Sequence, residues 1–183
     1  MQQSINFYND TDDNDIIKIF HGTKLFNETI YSQIPSVFIG SKESGLLICK
    51  SILLANGFKN LEFNSIDNID NELTKNKFVF YIDEKLNLKN HETQTFLFYL
   101  LEMAKRDDIS IAFLIDNSIT LTSTIPSEIH SRLFSLNTIR LTLPSIEDIK
   151  IIMENTKDKT NKNILDVFKI NRDYDEIKNT ILF

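Results

Sequence analysis

Between Pro35 and Asn56 the chain reads PSVFIGSKESGLLICKSILLAN. A short apolar run, a Gly-x4-Gly loop and a helical pattern follow one another without a gap, and that order constrains the fold more than any other stretch. It is the outline of a phosphate-binding loop between a buried strand and a helix, with Gly40 and Gly45 at the two glycine positions. The next two places hold Leu46 and Leu47. A working loop needs lysine there to reach the β- and γ-phosphates, and serine or threonine to hold Mg²⁺. Each such charge-assisted contact is worth about 1.5–3 kcal/mol, so losing both weakens nucleotide binding by about two to four orders of magnitude. Two readings fit the stretch. Either it is a vestigial phosphate loop whose Leu46 and Leu47 pack where phosphate and metal would sit, or its glycines simply end a strand and start a helix.

The remainder alternates in the same way. Spacing of Ile16, Ile17, Ile19, Phe20, Leu25, Phe26 and Ile30 predicts helical turns interrupted at His21-Gly22. Val37–Ile39 reads as a strand covered on both faces, and Leu46–Ala55 as a helix closed by Asn56-Gly57. A second strand is expected at Leu61–Phe63. Phe78–Ile82 is a third, ending in Asp83-Glu84. In P-loop ATPases that edge is where an aspartate holds Mg²⁺ and a neighbouring acid orients the attacking water; a strand running into a polar loop gives the same text. Glu92–Lys105 presents Phe96, Leu97, Leu100, Met103 and Ala104 at helical spacing, and its aromatic stripe Phe96, Phe98, Tyr99 reads as core. Ile109–Ile115 is a strand leading into Asp116-Asn117-Ser118, Pro126–Phe134 a short helix, and Thr138–Leu143 a last strand. Such alternation demands a mostly parallel sheet with helices on both faces, an α/β fold. After Pro144, Ser145 caps a helix with Asp148 three residues on, and further helical patterns follow around Ile164–Phe168 and Asp173–Leu182. The expected organisation is an N-terminal peptide and solvated acidic linker over residues 1–15, an α/β core over 16–143, and a small helical lid over 144–183.

Charge and cysteine usage narrow the function. A net charge of −6 argues against a nucleic-acid coat or an anionic-membrane binder, both of which need a basic face. A single cysteine, Cys49 in an apolar helical pattern, rules out an internal disulfide framework and fits a reducing, cytoplasmic setting as a small buried hydrophobe. His21, His91 and His130 show no metal-ligand spacing. No apolar run reaches the roughly 20 residues that span a bilayer.

The order of motifs, with FLFYLLEMAKRDDISIAFLID followed by IPSEIHSRLFSLNTIRLTLPSIEDIKIIM, resembles the DnaA/Hda family of AAA+ proteins from about Pro35 onward. The resemblance implies a P-loop NTPase-like parallel sheet with a short helical lid. It matches Asp83 and Glu84 to the Walker B acids, and Asn117, beside Asp116, to a polar sensor at the end of the fourth strand. Arg132 in Ser131-Arg132-Leu133 matches the family's arginine finger, which acts on the nucleotide of a neighbouring subunit; an exposed helix arginine is the plainer alternative. In the lid, Asp175 stands where the family's sensor arginine is expected, with Arg172 three residues away. An acid facing a phosphate is repulsive, so this departure has the same sign as Leu46 and Leu47.

Regulators of this family open with a peptide that binds the DNA polymerase sliding clamp. Gln2, Ser4, Ile5 and Phe7 match it, with Gln3 where leucine is usual. Ile5 and Phe7 would enter an apolar pocket while the Gln2 amide is satisfied at its rim. The resemblance thus implies an Hda-like regulator that docks on the clamp and promotes ATP hydrolysis by DnaA in trans through Arg132. Its own site, at Gly40, Gly45, Asp83, Glu84 and Asn117, would be vestigial: no working cofactor, at most residual ADP binding. Direct sequence-specific DNA binding is not expected, because the sequence carries no helix-turn-helix domain after the lid. A clamp-loader subunit of the δ′ type and a pseudo-ATPase scaffold without catalytic role remain the alternatives.

Overall fold

A computed structural model describes residues 13–63, 73, 76–121, 125–156, 164, 166, 169 and 172–182. The peptide bearing Gln2, Ser4, Ile5 and Phe7 lies outside the described residues, as does most of the helical pattern around Ile164–Phe168. Strands β1 (Ser36–Gly40), β2 (Phe58–Leu61), β3 (Lys77–Ile82), β4 (Ser110–Asp116) and β5 (Asn137–Arg140) form one parallel sheet in the order β2-β3-β4-β1-β5. All five residues of β1 are buried, because β4 and β5 take its two edges and helices cover both faces of the sheet. A strand so placed has no solvent face, hence its unbroken apolar text.

Side-chain alternation along the strands splits the interior in two. Phe38, Val79, Ala112 and Leu114 project to one face, where they meet α1 (Asp13–Phe20), α2 (Lys24–Ile30), α3 (Leu46–Ala55), α7 (Ile146–Asn155) and α8 (Tyr174–Leu182). Val37, Ile39, Phe80, Phe113 and Ile115 project to the other, covered by α4 (His91–Met103), the short α5 (Asn117–Leu121) and α6 (Ser127–Leu133). Each fully buried Phe, Leu or Ile here contributes about 1.5–3 kcal/mol relative to exposure. The two lid helices share their apolar core with α1–α3, so they close the first face of the sheet.

Local chemistry accounts for the boundaries. Gly22, at φ 85°, separates α1 from α2, and Thr23 Oγ1 caps α2 by accepting from Phe26 N at 3.2 Å. Ser145 and Asp148 form a reciprocal capping box on α7. Three elements differ from expectation. Helix α1 begins at Asp13, within the stretch read as a spacer, where Asp13 and Asp15 lie in its first turn and favour the positive end of the helix dipole. Strand β2 starts at Phe58, directly after the Gly57 turn, and as an edge strand buries only Leu61. The last strand ends at Arg140, although Leu141 N still donates to Ile39 O at 2.8 Å.

Candidate functional site

The glycine loop leaves the C-terminal end of β1 and enters α3 through Gly45, whose φ of 90° lies in the left-handed region that favours glycine. In a phosphate-binding loop the backbone N–H groups converge on the anion. Here they turn inward. Ser41 N donates to Ser44 Oγ at 2.9 Å, Ser44 N approaches Ser41 Oγ at 3.4 Å, Gly45 N donates to Lys42 O at 3.0 Å, and Leu46 N donates to Ser41 O at 3.0 Å. The Ser44 hydroxyl returns a bond to Ser41 O at 3.1 Å. The loop is thus closed on itself around one serine side chain.

Both glycines are required by this closure. A Cβ on Gly40 would stand 2.5 Å from Ser44 Oγ and 3.0 Å from Leu141 Cβ, and one on Gly45 would stand 2.5 Å from Leu25 Cδ2 and 3.3 Å from Tyr174 Cδ2. Leu25 of α2 and Tyr174 of the lid therefore press on the loop from outside. Tyr174 is 1% exposed, lies edge-on to Phe20 at 5.9 Å, and its backbone N donates to Glu43 O at 3.0 Å. The buried Asp148 carboxylate lies beside its hydroxyl, and burial together with that charge pushes its pKa up. Asp148 also accepts from Lys24 N at 2.7 Å, Ser145 N at 3.0 Å and Ser145 Oγ at 2.9 Å, so α2, α7 and α8 meet at one carboxylate.

Leu46 goes into the first core at 0% exposure, as the vestigial reading expects, whereas Leu47 is 39% exposed and turns toward solvent. Leu47 follows the helix: the residue after a buried N-terminal position rotates about 100° away from it. Acids add to the unfavourable chemistry. A hydrogen bond with Ser41 holds the Glu43 carboxyl below its ordinary pKa, and Asp175 reaches the loop from α8, its Oδ2 3.9 Å from Lys42 Nζ and its Oδ1 2.9 Å from Lys178 Nζ. Asp175 is therefore an acid at the lid edge of the loop. Arg172 lies exposed before α8, and Asp173 caps that helix by accepting from Asp175 N at 2.8 Å.

At the carboxyl edge of the sheet, parity decides which groups can meet. Asp83 follows Val79 and Tyr81 on the α3 face, and its Oδ1 accepts from Lys85 N at 3.0 Å; Glu84 is exposed. Asp116 continues Ala112 and Leu114 on that same face, receives Tyr81 Oη at 3.5 Å and Ser118 N at 2.9 Å, and pairs in register with Gly40. Asn117 is the first residue of α5, one position past the strand. The polar group at the end of β4 that shares a face with Asp83 is thus Asp116. Alternation from Leu114 was the sequence signal that selects it over Asn117. Lys50, one turn along α3 from Leu46, lies 5.7 Å above the Tyr81 ring; burial lowers its pKa, opposed by Glu62, Asp83 and Asp13. A cavity of about 300 Å³ opens beside Asp83 and Glu84, but Ser118 and Ile119 form its other wall and no loop residue from 40 to 47 lines it. These residues do not fit a magnesium triphosphate: the amides of Ser41, Ser44, Gly45 and Leu46 are engaged, Leu46 is core, and Glu43 and Asp175 flank the loop.

Arg132 stands on the opposite layer, on α6, with its side chain 43% exposed. Its guanidinium pairs with Glu102 Oε1 of α4 and lies 5.1 Å from the Phe98 ring centroid. Neither partner was foreseen, because both lie about 30 residues away in sequence, as the Arg132–Glu102 separation of 30 shows.

A central strand running into a glycine loop, acids at the carboxyl edge of the sheet and a helical lid on the loop's own face define the AAA+ type of P-loop NTPase fold. Its architecture is similar to that of solved DnaA structures. No family model matches the sequence, and no curated protein does. Among solved structures the chain is similar to AMPPCP-bound DnaA from Aquifex aeolicus, with TM-score 0.61 and 13% identity over 84% of this chain and 57% of that one. It is also similar to replication initiator DnaA bound to AMPPCP and single-stranded DNA, with TM-score 0.57 and 14% identity over 94% and 60% of the two chains. A third is a crystal structure of a DNA replication initiation factor, with TM-score 0.54, 16% identity, and coverage of 86% and 56%. The chain spans less than two thirds of the length of each. What is shared at such identities is the fold. Among the described residues, no helix is long and apolar enough to cross a membrane.

Proposed function

We propose that this chain is an Hda-like regulator of replication initiation, which leaves its own nucleotide site closed and acts on ATP held by a DnaA-type partner. One observation carries the reading: four loop amides, those of Ser41, Ser44, Gly45 and Leu46, are bonded within the loop and the lid Tyr174 packs on Gly45, while Arg132 stands at the surface of the other layer. In the partner, water attacks the γ-phosphorus, the bond to the β–γ bridging oxygen breaks, and ADP and phosphate leave. Arg132 would neutralise charge building on the transferring oxygens, a contribution worth roughly 10³–10⁵ in rate where such fingers act. Gln2, Ser4, Ile5 and Phe7 would bring the chain to the sliding clamp, where the partner is met. The similar structures of DnaA support a replication-initiation setting.

The test is DnaA ATP hydrolysis with clamp loaded on DNA. The chain is expected to stimulate it, Arg132→Ala to abolish stimulation, and a variant with Ile5 and Phe7 changed to Ala to lose the clamp dependence. Stimulation indifferent to Arg132→Ala would sink the mechanism. The isolated chain should show no rise in Tm with millimolar MgATP or ADP, since only a ligand bound to the folded state raises it; a dose-dependent rise would refute the closed site. A scaffold without catalytic role is the second reading, favoured by the in-chain pairing of Arg132 with Glu102. It predicts complex formation that Arg132→Ala leaves intact and no effect on hydrolysis.

A further inference from the structure

Phe98 and Glu102 are four residues apart on α4 and so lie on one face of that helix, one above the other. Together they offer Arg132 the two surfaces a guanidinium needs: an aromatic ring for its plane, 5.1 Å away, and a carboxylate for its edge. The carboxylate presents charged oxygens to the same N–H groups that would otherwise bond a phosphoryl group. Glu102 Oε1 is also met by Lys105 Nζ at 2.8 Å. If Arg132 departs, Lys105 remains to neutralise Glu102, so release leaves no bare charge behind. Both partners of the pair are about half exposed, at 43% and 50%, and such a pair is held weakly.

We infer that Glu102 and Phe98 form a parking site for Arg132, an autoinhibitory contact from which the γ-phosphate of a partner-bound nucleoside triphosphate displaces the guanidinium. The inference rests on the reading of Arg132 as a group acting in trans. Parking reduces the fraction of chains with a free guanidinium, and the concentration needed for half-maximal action rises by the reciprocal of that fraction.

Two measurements on the full chain separate this contact from that reading. The first is NMR of the Arg132 side chain, following rotation about Nε–Cζ, in the unaltered protein and in Glu102→Gln. Slow rotation in the former and faster rotation in the latter are expected; identical spectra overturn the parking site. Glu102 is half exposed, and circular dichroism of Glu102→Gln verifies that the fold is kept. The second is stimulation of DnaA ATP hydrolysis, where Glu102→Gln should lower the half-maximal concentration by up to about five-fold. An unchanged or higher concentration overturns autoinhibition, because Glu102 would then be idle or would position Arg132 for action. If rotation is released but neither protein stimulates hydrolysis, the trans-acting reading fails and the regulatory inference falls with it, while the contact itself stands.

Discussion

Replacing Asp148 with Ala should loosen the lid from the α/β core. This carboxylate is 4% exposed and accepts from Lys24 N, Ser145 N and Ser145 Oγ, with the Tyr174 hydroxyl beside it. The Ser145 hydroxyl can rotate toward another acceptor, but the two backbone amides are fixed by α2 and α7. Leaving each of them unsatisfied costs about 1–3 kcal/mol, so the loss should be roughly 2–6 kcal/mol in all. For a chain of this size each kcal/mol lowers Tm by about 2–4 °C, giving a drop of roughly 4–24 °C. Urea unfolding followed by circular dichroism measures the loss directly, with an unchanged m-value showing that the unfolded state is the same. Asp148→Asn should fall between, since its amide keeps one acceptor and turns a donor against other donors. Combined with Tyr174→Phe in a double-mutant cycle, it should reveal a coupling of about 0.5–3 kcal/mol. A loss below about 0.5 kcal/mol for Asp148→Ala, as for an ordinary surface position, would refute the role assigned to this group.

Two other perturbations test the loop and the helix behind it. Gly45→Ala places a Cβ 2.5 Å from Leu25 Cδ2 on a backbone at φ 90°; it should cost about 1–3 kcal/mol in urea unfolding, and a neutral result would mean that α2 yields freely. Burial raises the Cys49 thiol from 9.0 to about 12, so the folded protein should resist thiol reagents at pH 8 and react only as it unfolds. Because the folded value is the higher one, the stabilisation from the neutral thiol is complete below pH 9 and declines by up to about 1.4 kcal/mol per pH unit until the folded group titrates. Rapid labelling of the native protein at pH 8 would contradict this burial.

The readable parts of the fold are those whose cause is local. Residues 36–40 and 46–55 have their boundaries written in an apolar run, two glycines and Asn56-Gly57, and the Ser145–Asp148 box states a helix start in four residues. The sequence predicts β2 three residues late, because an edge strand with exposed Lys59 and Asn60 carries almost no burial pattern. The loop's inward closure depends on Ser44, whose hydroxyl has no distinctive spacing in the sequence. Long-range meetings were illegible for a related reason: Asp148 bonds to Lys24 across 124 positions, and nothing at either position announces the other. For the site, the text disclosed which side chains are wrong for a triphosphate. It did not disclose that Tyr174 packs against the loop, nor that Arg132 has an in-chain partner, because burial and pairing are properties of the assembled layers.

The division of the interior also sets an order for synthesis on the ribosome. The apolar cluster that joins Val37, Phe80 and Phe113 to α4 and α6 has all its described members once Leu136 has emerged. The cluster on the other face joins Ile16, Ile19 and Phe20 to Tyr174, Ile177 and Ile181, and so spans the described chain almost end to end. During translation α1 and α2 can pack on α3 early, but the part of their apolar surface that meets α7 and α8 stays uncovered until those helices arrive. Chaperone dependence, and sensitivity to pauses before residue 174, should concentrate on that one face.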